Sequence, residues 1–249
     1  MSFKDHFSRL AANYASFRPH YPSALFDYLA QSCREHKYAW DCACGSGQAT
    51  LALAARFATV LATDASAAQL AATAPHPNIR YRVAEAAASG LAASSVDIVT
   101  VAQALHWFDL APFYAEVERV LRAGGVLAAW TYGVLHITNE RADRLLQEFY
   151  WDTLKPYWPD ERRFVETGYR TLPFAFAEMA PPMFTMQEEW SLAQLLGYIR
   201  SWSASARYAE RNGVDRAVAL EASLSAVWGD PEALQRVSWP LSMRIGAKP

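Results

Sequence analysis

Two hydrophobic patterns alternate along the chain from residue 37 to residue 132. Short segments typical of strands cover residues 38–44, 58–63, 79–84, 96–102 and 126–132, and most of them are apolar. Apolar residues at helical spacing lie between them, over residues 48–57, 66–74 and 110–122. Strands that alternate with helices pair in parallel through right-handed crossovers. With two later strands, at 184–190 and 235–246, the sequence predicts a doubly wound, mostly parallel α/β sheet of seven strands.

The first 36 residues predict two helices that precede the sheet. Apolar residues recur at helical intervals over residues 3–16, at Phe3, Phe7, Leu10 and Tyr14. Prolines at 19 and 22 interrupt the pattern, and residues 23–36 then form a second helix. The sequence leaves open whether residues 1–36 close over a ligand through Phe7 and Tyr14 or pack on the core.

Beyond residue 133 the regular alternation stops. We expect helices at 139–154 and through most of 192–230, with a stretch rich in proline and aromatic residues at 155–182. Residues 135–182 and 191–230 together predict a helical cap above the carboxyl ends of the strands, where open α/β sheets bind ligands. Pro240 predicts that the last strand is exposed at an edge or carries a bulge. We interpret residues 1–249 as one domain, with residues 37–134 as its cofactor-binding half.

Composition and charge exclude several classes of protein. The chain has 249 residues, of which 52% are hydrophobic, and its 23 basic and 25 acidic residues form no basic stripe, so a nucleic-acid partner is not expected. Cys33, Cys42 and Cys44 lack the spacing of a zinc site or a disulfide framework, so we expect no metal. No signal peptide or run of 18 apolar residues occurs, and therefore the expected location is the cytoplasm, without a membrane partner.

A glycine turn and an acidic residue form the clearest candidate ligand site. Gly45-Ser46-Gly47 follows the first predicted strand and opens a helix, where the backbone can approach a carboxylate or phosphate. Asp64 ends the next strand, where a carboxylate can accept both hydroxyls of a ribose. Thr50 stands where a dinucleotide fingerprint has its third glycine, and no Lys-Ser/Thr ending follows. These departures favour a cofactor that has one carboxylate and a ribose, and they disfavour a cofactor that contains a pyrophosphate.

Several segments resemble the class I S-adenosylmethionine-dependent methyltransferases, whose first motif is an acidic residue followed by Gly-x-Gly. The similar segments are Trp40–Thr50, Ala84–Ala86, Ser95–Val99 and Arg119–Gly125. A narrower set resembles the type 11 subgroup that includes trans-aconitate methyltransferase-like enzymes: Gln103–Asp109, Arg18–Pro22 and Tyr198–Ser203. The resemblance covers residues from about 5 onward and is strongest over 38–132. It implies a Rossmann-like methyltransferase fold, an S-adenosylmethionine cofactor and methyl transfer to a small molecule.

The resemblance also implies which residues hold the cofactor. Asp41, Gly45, Ser46 and Gly47 are expected at its methionine end, and Asp64 at its ribose. Ala65 is expected beside the adenine, with Glu85 and Ala86 at the ring edge. Gln103 is expected beneath the sulfonium. Trp107 is either a wall of the cofactor or acceptor site or a residue of the core.

Catalytic and acceptor-binding residues are less strongly indicated. His106 is either a general base or a structural hydrogen-bonding residue that fixes its loop. Aromatic and arginine side chains are the candidates for the acceptor, with arginine favouring a carboxylic acid: Arg18, Tyr21, Tyr132, Arg200 and Trp202. The cap aromatics either shape a pocket or bury the cap. Two alternatives stay open, a nicotinamide-dependent oxidoreductase and a module that binds the cofactor without catalysis. Neither the acceptor nor the oligomeric state follows from the sequence.

Overall fold

A computed structural model describes residues 19–249 of the protein. Over these residues nine strands form one sheet in the order β3-β2-β1-β4-β5-β9-β6, and β7 and β8 also pair with β9. The strands are β1 (Tyr38–Cys42), β2 (Thr59–Asp64), β3 (Ile79–Val83), β4 (Val96–Ala102), β5 (Leu121–Tyr132), β6 (His136–Ile137), β7 (Glu178–Met179), β8 (Phe184–Trp190) and β9 (Gln235–Ala247). The doubly wound α/β fold is confirmed. The sheet exceeds the seven predicted strands because it includes the two-residue strands β6 and β7.

Strands β1 to β5 form the parallel half of the sheet. The inner strands are mostly apolar because helices cover both faces; β4, for example, is buried at every position except its last. β3, at the edge of the sheet, carries two arginines and is buried only at Ile79. Four helices pack on this half: α1 (Ser23–Gln31), α2 (Gln48–Ala54), α3 (Ala67–Ala71) and α4 (Leu110–Val120). All the carboxyl ends therefore meet at one edge, to which the predicted cofactor residues belong.

Two strand boundaries differ from the prediction for backbone reasons. β1 ends at Cys42 rather than Cys44, because Ala43 turns into a left-handed conformation with φ 55°. β5 begins at Leu121 rather than 126, directly after α4. Its register with β4 shifts between Val96 and Ile98, and Gly124 takes φ 73° within the strand. The glycine pair thus produces an irregularity inside β5, not a turn before it.

The prediction that Pro240 marks an edge strand or a bulge is wrong. β9 is internal, antiparallel to β5 over residues 241–247 and to β8 over residues 235–241, and neither pairing shifts register. The Pro240 carbonyl accepts a hydrogen bond from the Gly133 N–H at 3.4 Å, on the side where β5 ends at Tyr132. In a strand, the N–H and C=O of a residue point to the same side. The missing N–H of Pro240 therefore falls beyond the end of β5 and costs no ladder hydrogen bond.

The segments predicted as a cap fold into further helices around β9. They are α5 (Glu140–Glu148), α6 (Arg162–Glu166), α7 (Leu192–Arg200), α8 (Ser203–Asn212) and α9 (Ala217–Trp228). The single helix expected at 139–154 ends at Glu148 and continues as a π-helical turn, Phe149–Thr153. Side chains of α5, α7 and α9 share one hydrophobic cluster with Val237 and Trp239 of β9. None of the helices within 19–249 has the length and apolar character that crossing a bilayer requires. The predicted helix at 3–16 lies outside the described residues.

Candidate active site

The glycine turn between β1 and α2 brings the backbone to the carboxyl edge of the sheet. Gly45 and Gly47 both have left-handed conformations, with φ 55° and 86°, which glycine adopts without steric cost. Among residues 19–249, a Cβ atom added to Gly45 would meet only Gln69 Oε1, at 3.8 Å, so these residues leave the space in front of Gly45 open. At Gly47 the same atom would lie 3.2 Å from the Tyr81 hydroxyl. The turn therefore forms a cradle that a side chain at Gly45 would fill.

Asp64 connects this turn to the end of β2. Its Oδ2 accepts a hydrogen bond from the Gly45 N–H at 2.9 Å, and its Oδ1 accepts one from the Ser66 N–H at 2.8 Å. Each carboxylate oxygen can accept a second hydrogen bond. The side chain is 9% exposed, so it remains accessible at the edge. The structure thus brings together the glycine turn and the acid that the sequence analysis singled out.

Asp41 differs from its prediction as a residue that lines the cofactor. Its side chain is completely buried, and its oxygens accept hydrogen bonds from the Thr50 hydroxyl at 2.6 Å and the Thr100 hydroxyl at 2.9 Å. Burial raises its pKa from 3.8 to about 6, against the lowering effect of the two hydroxyls. Asp41 therefore lies beneath the turn and links β1 to α2 and β4. Thr50, noted only because it replaces a glycine, supplies one of these hydroxyls.

The residues predicted at the adenine follow β2 and β3. Ala65 and Glu85 are exposed, whereas Ser46 and Ala86 are half-buried. The Ala84 N–H donates to the Asp64 carbonyl at 3.1 Å, which joins the two strand ends. These residues consequently share one accessible edge beside Asp64.

Gln103 occupies the end of β4 in a strained left-handed conformation, with φ 58°. Its Oε1 accepts a hydrogen bond from the Thr131 hydroxyl at 2.6 Å, and its Nε2 donates to the Tyr132 carbonyl at 3.2 Å. The Tyr21 ring lies 6.3 Å from the Tyr132 ring. Gln103 therefore fixes the ends of β4 and β5, close to two of the predicted acceptor residues.

His106 lies in a 3-10 turn, Leu105–Trp107, directly after β4. Its Nδ1 is 2.8 Å from the Tyr169 hydroxyl, and its ring centre is 4.6 Å from that of Trp107. Burial, together with the positive charge of Arg162, lowers its pKa to about 3, so the imidazole is neutral at physiological pH. Tyr169, which the sequence analysis missed, is completely buried and has φ 62°. This contact matches the loop-fixing alternative for His106 and leaves a neutral imidazole at the edge.

Arg200 does not take the predicted role of a carboxylate clamp. Its guanidinium pairs with Asp215 at 3.2 Å and with Glu221 at 2.6 Å, so it joins α7 to α9 and to the loop that precedes α9. Its charge is already neutralised and is not available to an acidic ligand. Arg18, the other predicted clamp, lies outside the described residues.

Trp202 belongs to a group of rings that we call the cap aromatic cluster: Tyr150, Trp158, Tyr198 and Trp202. Ring centres of Trp202 lie 5.6 Å from Tyr150, 5.8 Å from Trp158 and 5.6 Å from Tyr198. Arg162, which the sequence analysis also missed, has its guanidinium 4.6 Å from the Trp158 ring centre. The four-residue interval from Trp158 to Arg162 could have indicated that the two side chains are in contact. It lies, however, in a segment without regular periodicity.

The cysteines are free, and burial raises the pKa of both Cys42 and Cys44. Over residues 19–249 no three His, Cys, Asp or Glu side chains are grouped as metal ligands. The chemistry of the described edge therefore rests on a carboxylate, backbone groups, a neutral imidazole and an arginine.

Comparison with known proteins places this arrangement in a family. Residues 40–129 match the methyltransferase domain family. A protein of Dictyostelium discoideum named as a methyltransferase is 32% identical over 253 residues, which cover 99% of this chain and 96% of that protein. A solved structure from Anaeromyxobacter dehalogenans, named as a type II methyltransferase, is 44% identical, covers 93% of this chain and 98% of its own, and has a TM-score of 0.89.

A third relative, from Saccharomyces cerevisiae, is named as a probable S-adenosylmethionine-dependent methyltransferase. It is 31% identical over 131 residues, or 49% of this chain and 45% of the relative. The family match over residues 40–129 includes the glycine turn, Asp64 and the end of β4. The chain belongs to the class I S-adenosylmethionine-dependent methyltransferases.

Proposed function

We propose that the protein transfers the methyl group of S-adenosylmethionine to a small carboxylic acid, bound between the carboxyl ends of the strands and the helical cap. The observation that carries this proposal is the link between Gly45 and Asp64, at 2.9 Å. It holds an open backbone turn and a carboxylate with free acceptor positions at one edge, as an aminoacyl nucleoside requires. The trans-aconitate methyltransferase-like subgroup is the narrower assignment that this acceptor class would fit.

The residues present fit the cofactor at both ends. Among residues 19–249 only Gln69 Oε1 lies near a Cβ added to Gly45, at 3.8 Å, so the turn is a cradle that a side chain would fill. A glycine at this position lets a ligand approach the backbone closely. We assign the methionine end to Gly45, Ser46 and Gly47, the ribose to Asp64, the adenine to Ala65, Glu85 and Ala86, and the sulfonium end to Gln103 and Trp107. Asp41 supports the turn from beneath, through Thr50.

The cofactor supplies an already activated methyl group on its sulfonium. The protein's own residues then have to orient the acceptor, exclude water and hold its nucleophilic atom close to the methyl carbon. A carboxylate acceptor loses no proton and needs no base, so His106 would act on it as a neutral contact. A hydroxyl or amine acceptor would need His106 as a base.

Calorimetry with S-adenosylhomocysteine tests the cofactor half of this proposal. Asp64→Ala removes a charged hydrogen-bond acceptor, and we expect it to weaken binding by about 1–3 kcal/mol. Asp109→Ala is the matched control, because Asp109 is an exposed carboxylate at the same edge whose side chain makes no capping hydrogen bond. Unchanged affinity of the Asp64 variant would remove Asp64 from the site.

Transfer from labelled S-adenosylmethionine to a panel of small acids, phenols and amines tests the second half. Transfer of the labelled methyl group to an acid, and no transfer to the corresponding amide, supports the proposal. Binding without transfer to any acceptor would favour a non-catalytic module. Thermal stabilisation by NAD(H) but not by S-adenosylhomocysteine would favour the oxidoreductase alternative.

A further inference from the structure

Arg162, the first residue of α6, carries a charge that no carboxylate of the described chain neutralises directly. Its Nε donates a hydrogen bond to the Tyr150 hydroxyl at 2.7 Å. That hydroxyl in turn donates to Glu166 at 3.1 Å, so the nearest acid is reached only through the tyrosine. The two terminal nitrogens of the guanidinium have no acceptor within residues 19–249. A half-buried guanidinium therefore keeps the planar pair of donors that binds a carboxylate.

A second donor without a partner lies beside it. The indole N–H of Trp158 is buried and has no hydrogen-bond partner among the residues that the structure describes. The Arg162 guanidinium packs over the same indole, 4.6 Å from the ring centre. A buried N–H without an acceptor destabilises the folded chain unless a ligand or water accepts from it. Two donors that lack acceptors are thus held together by one stacking contact.

The surroundings favour an anion over a cation. The guanidinium already occupies a face of Trp158, which an ammonium ligand would need for a cation–π contact. Its charge acts on His106 as well, where it contributes to the lowered pKa of the imidazole. The rings of Tyr150 and Trp202 pack against Trp158, with ring centres 5.1 Å and 5.8 Å from its own, so the surroundings of the two donors are apolar.

We propose that Arg162 and the indole N–H of Trp158 form a subsite that binds the carboxylate of the methyl acceptor. This inference rests on the proposed function, because it is that function that places an acceptor beside His106. The guanidinium fork matches the two oxygens of a carboxylate, and the indole N–H supplies a third hydrogen bond. Recognition of the acid thus comes from the segment between β6 and β7, not from Arg200.

Binding of cinnamate and of its neutral isostere cinnamamide tests the subsite by calorimetry. We expect the wild-type protein, with S-adenosylhomocysteine present, to bind cinnamate at least about tenfold more tightly than the amide. Arg162→Gln should abolish this preference, and Arg162→Lys should restore only part of it. Arg163→Gln is the matched control, since Arg163 is an exposed neighbour on the same helix whose guanidinium packs on Phe164 instead.

Trp158→Phe keeps the ring and removes only the donor, so it tests the indole N–H if the arginine variants fold poorly. We expect it to weaken cinnamate binding several-fold and to leave cinnamamide binding unchanged. Equal affinities of the wild-type protein for acid and amide would overturn the inference. So would an unchanged preference in Arg162→Gln, or no binding of cinnamate, benzoate or succinate at millimolar concentration.

The affinity of every variant for S-adenosylhomocysteine separates this inference from the proposed function. We expect that affinity to stay constant across the Arg162, Arg163 and Trp158 variants. If the wild-type protein fails to bind S-adenosylhomocysteine, the proposed function fails. The preference for cinnamate over cinnamamide, measured without S-adenosylhomocysteine, then still decides whether the subsite exists.

Discussion

Replacing Asp41 by asparagine should stabilise the protein at neutral pH. The carboxylate is completely buried, and burial raises its pKa from 3.8 to about 6. At about 1.4 kcal/mol for each pKa unit, this difference corresponds to about 3 kcal/mol. The native state therefore binds more protons than the unfolded state between pH 4 and 6, and stability falls as pH rises through this window. Above pH 6 the whole cost of the buried charge is present.

Asparagine should keep the hydrogen bonds of this position. Its Oδ1 can accept from Thr50 as the carboxylate does, and its Nδ2 can donate to the Thr100 oxygen. The Thr100 hydroxyl then turns to the Trp40 carbonyl, which already lies 3.4 Å away. The substitution also removes the repulsion between Asp41 and Asp64, which contributes to the raised pKa. The expected gain is up to about 3 kcal/mol at pH 7.5 and decreases toward zero at pH 4.

Urea unfolding of the wild-type protein and Asp41→Asn across pH 4.5–8 measures this difference. Asp109→Asn serves as the control, because its exposed carboxylate should leave the pH profile unchanged. The difference should be insensitive to salt, since a buried charge is poorly screened. An Asp41→Asn protein less stable than wild type at pH 7.5, or a difference independent of pH, would refute the reasoning.

Two further substitutions test the turn and the histidine. Gly47→Ala forces alanine into φ 86° and puts its Cβ 3.2 Å from the Tyr81 hydroxyl, so we expect a loss of at least about 1 kcal/mol in unfolding free energy and weaker S-adenosylhomocysteine binding. Gly213→Ala, at φ 69° with nothing within 4 Å, should lose stability alone; equal binding by both variants would contradict a ligand at Gly47. Tyr169→Phe leaves His106 Nδ1 without its partner, and we expect about 1–2 kcal/mol lower stability and slower methyl transfer at unchanged S-adenosylhomocysteine affinity. Wild-type turnover in Tyr169→Phe would show that the histidine does not need this partner.

Local sequence patterns predict the parallel half of the sheet well. β2 and β4 are mostly apolar, and the fold places a polar residue at the carboxyl edge of each: Asp64 is the last residue of β2, and Gln103 follows β4. Gly45 and Asp64 could be paired from sequence because the fold brings consecutive strands together at one end. Their direct hydrogen bond is the tertiary consequence of that rule.

The parts that sequence could not predict depend on distant partners. Asp41 precedes the glycine turn, which suggests a ligand contact, but Thr100 reaches its side chain from a strand 59 positions later. Arg200 was predicted as a clamp from the sequence, and Arg162 was not. Only the tertiary packing shows that Asp215 and Glu221 neutralise the first, while the terminal nitrogens of the second have no acceptor among residues 19–249. The prediction for Pro240 failed for the same reason. Whether its missing N–H costs a ladder hydrogen bond depends on where the distant strand β5 ends.

Because β9 lies inside the sheet, it connects the parallel half of the sheet to the helical region that follows residue 133. Its second half, residues 241–247, continues the sheet beside β5, and its first half, residues 235–241, carries β8 and with it the entry to α7. Val126 pairs with Ala247, so the sheet cannot be completed until a strand 121 positions further along the chain has arrived. Folding of the helical region should therefore wait for β9, and an error in this one strand would separate the cap aromatic cluster from the carboxyl edge of the sheet.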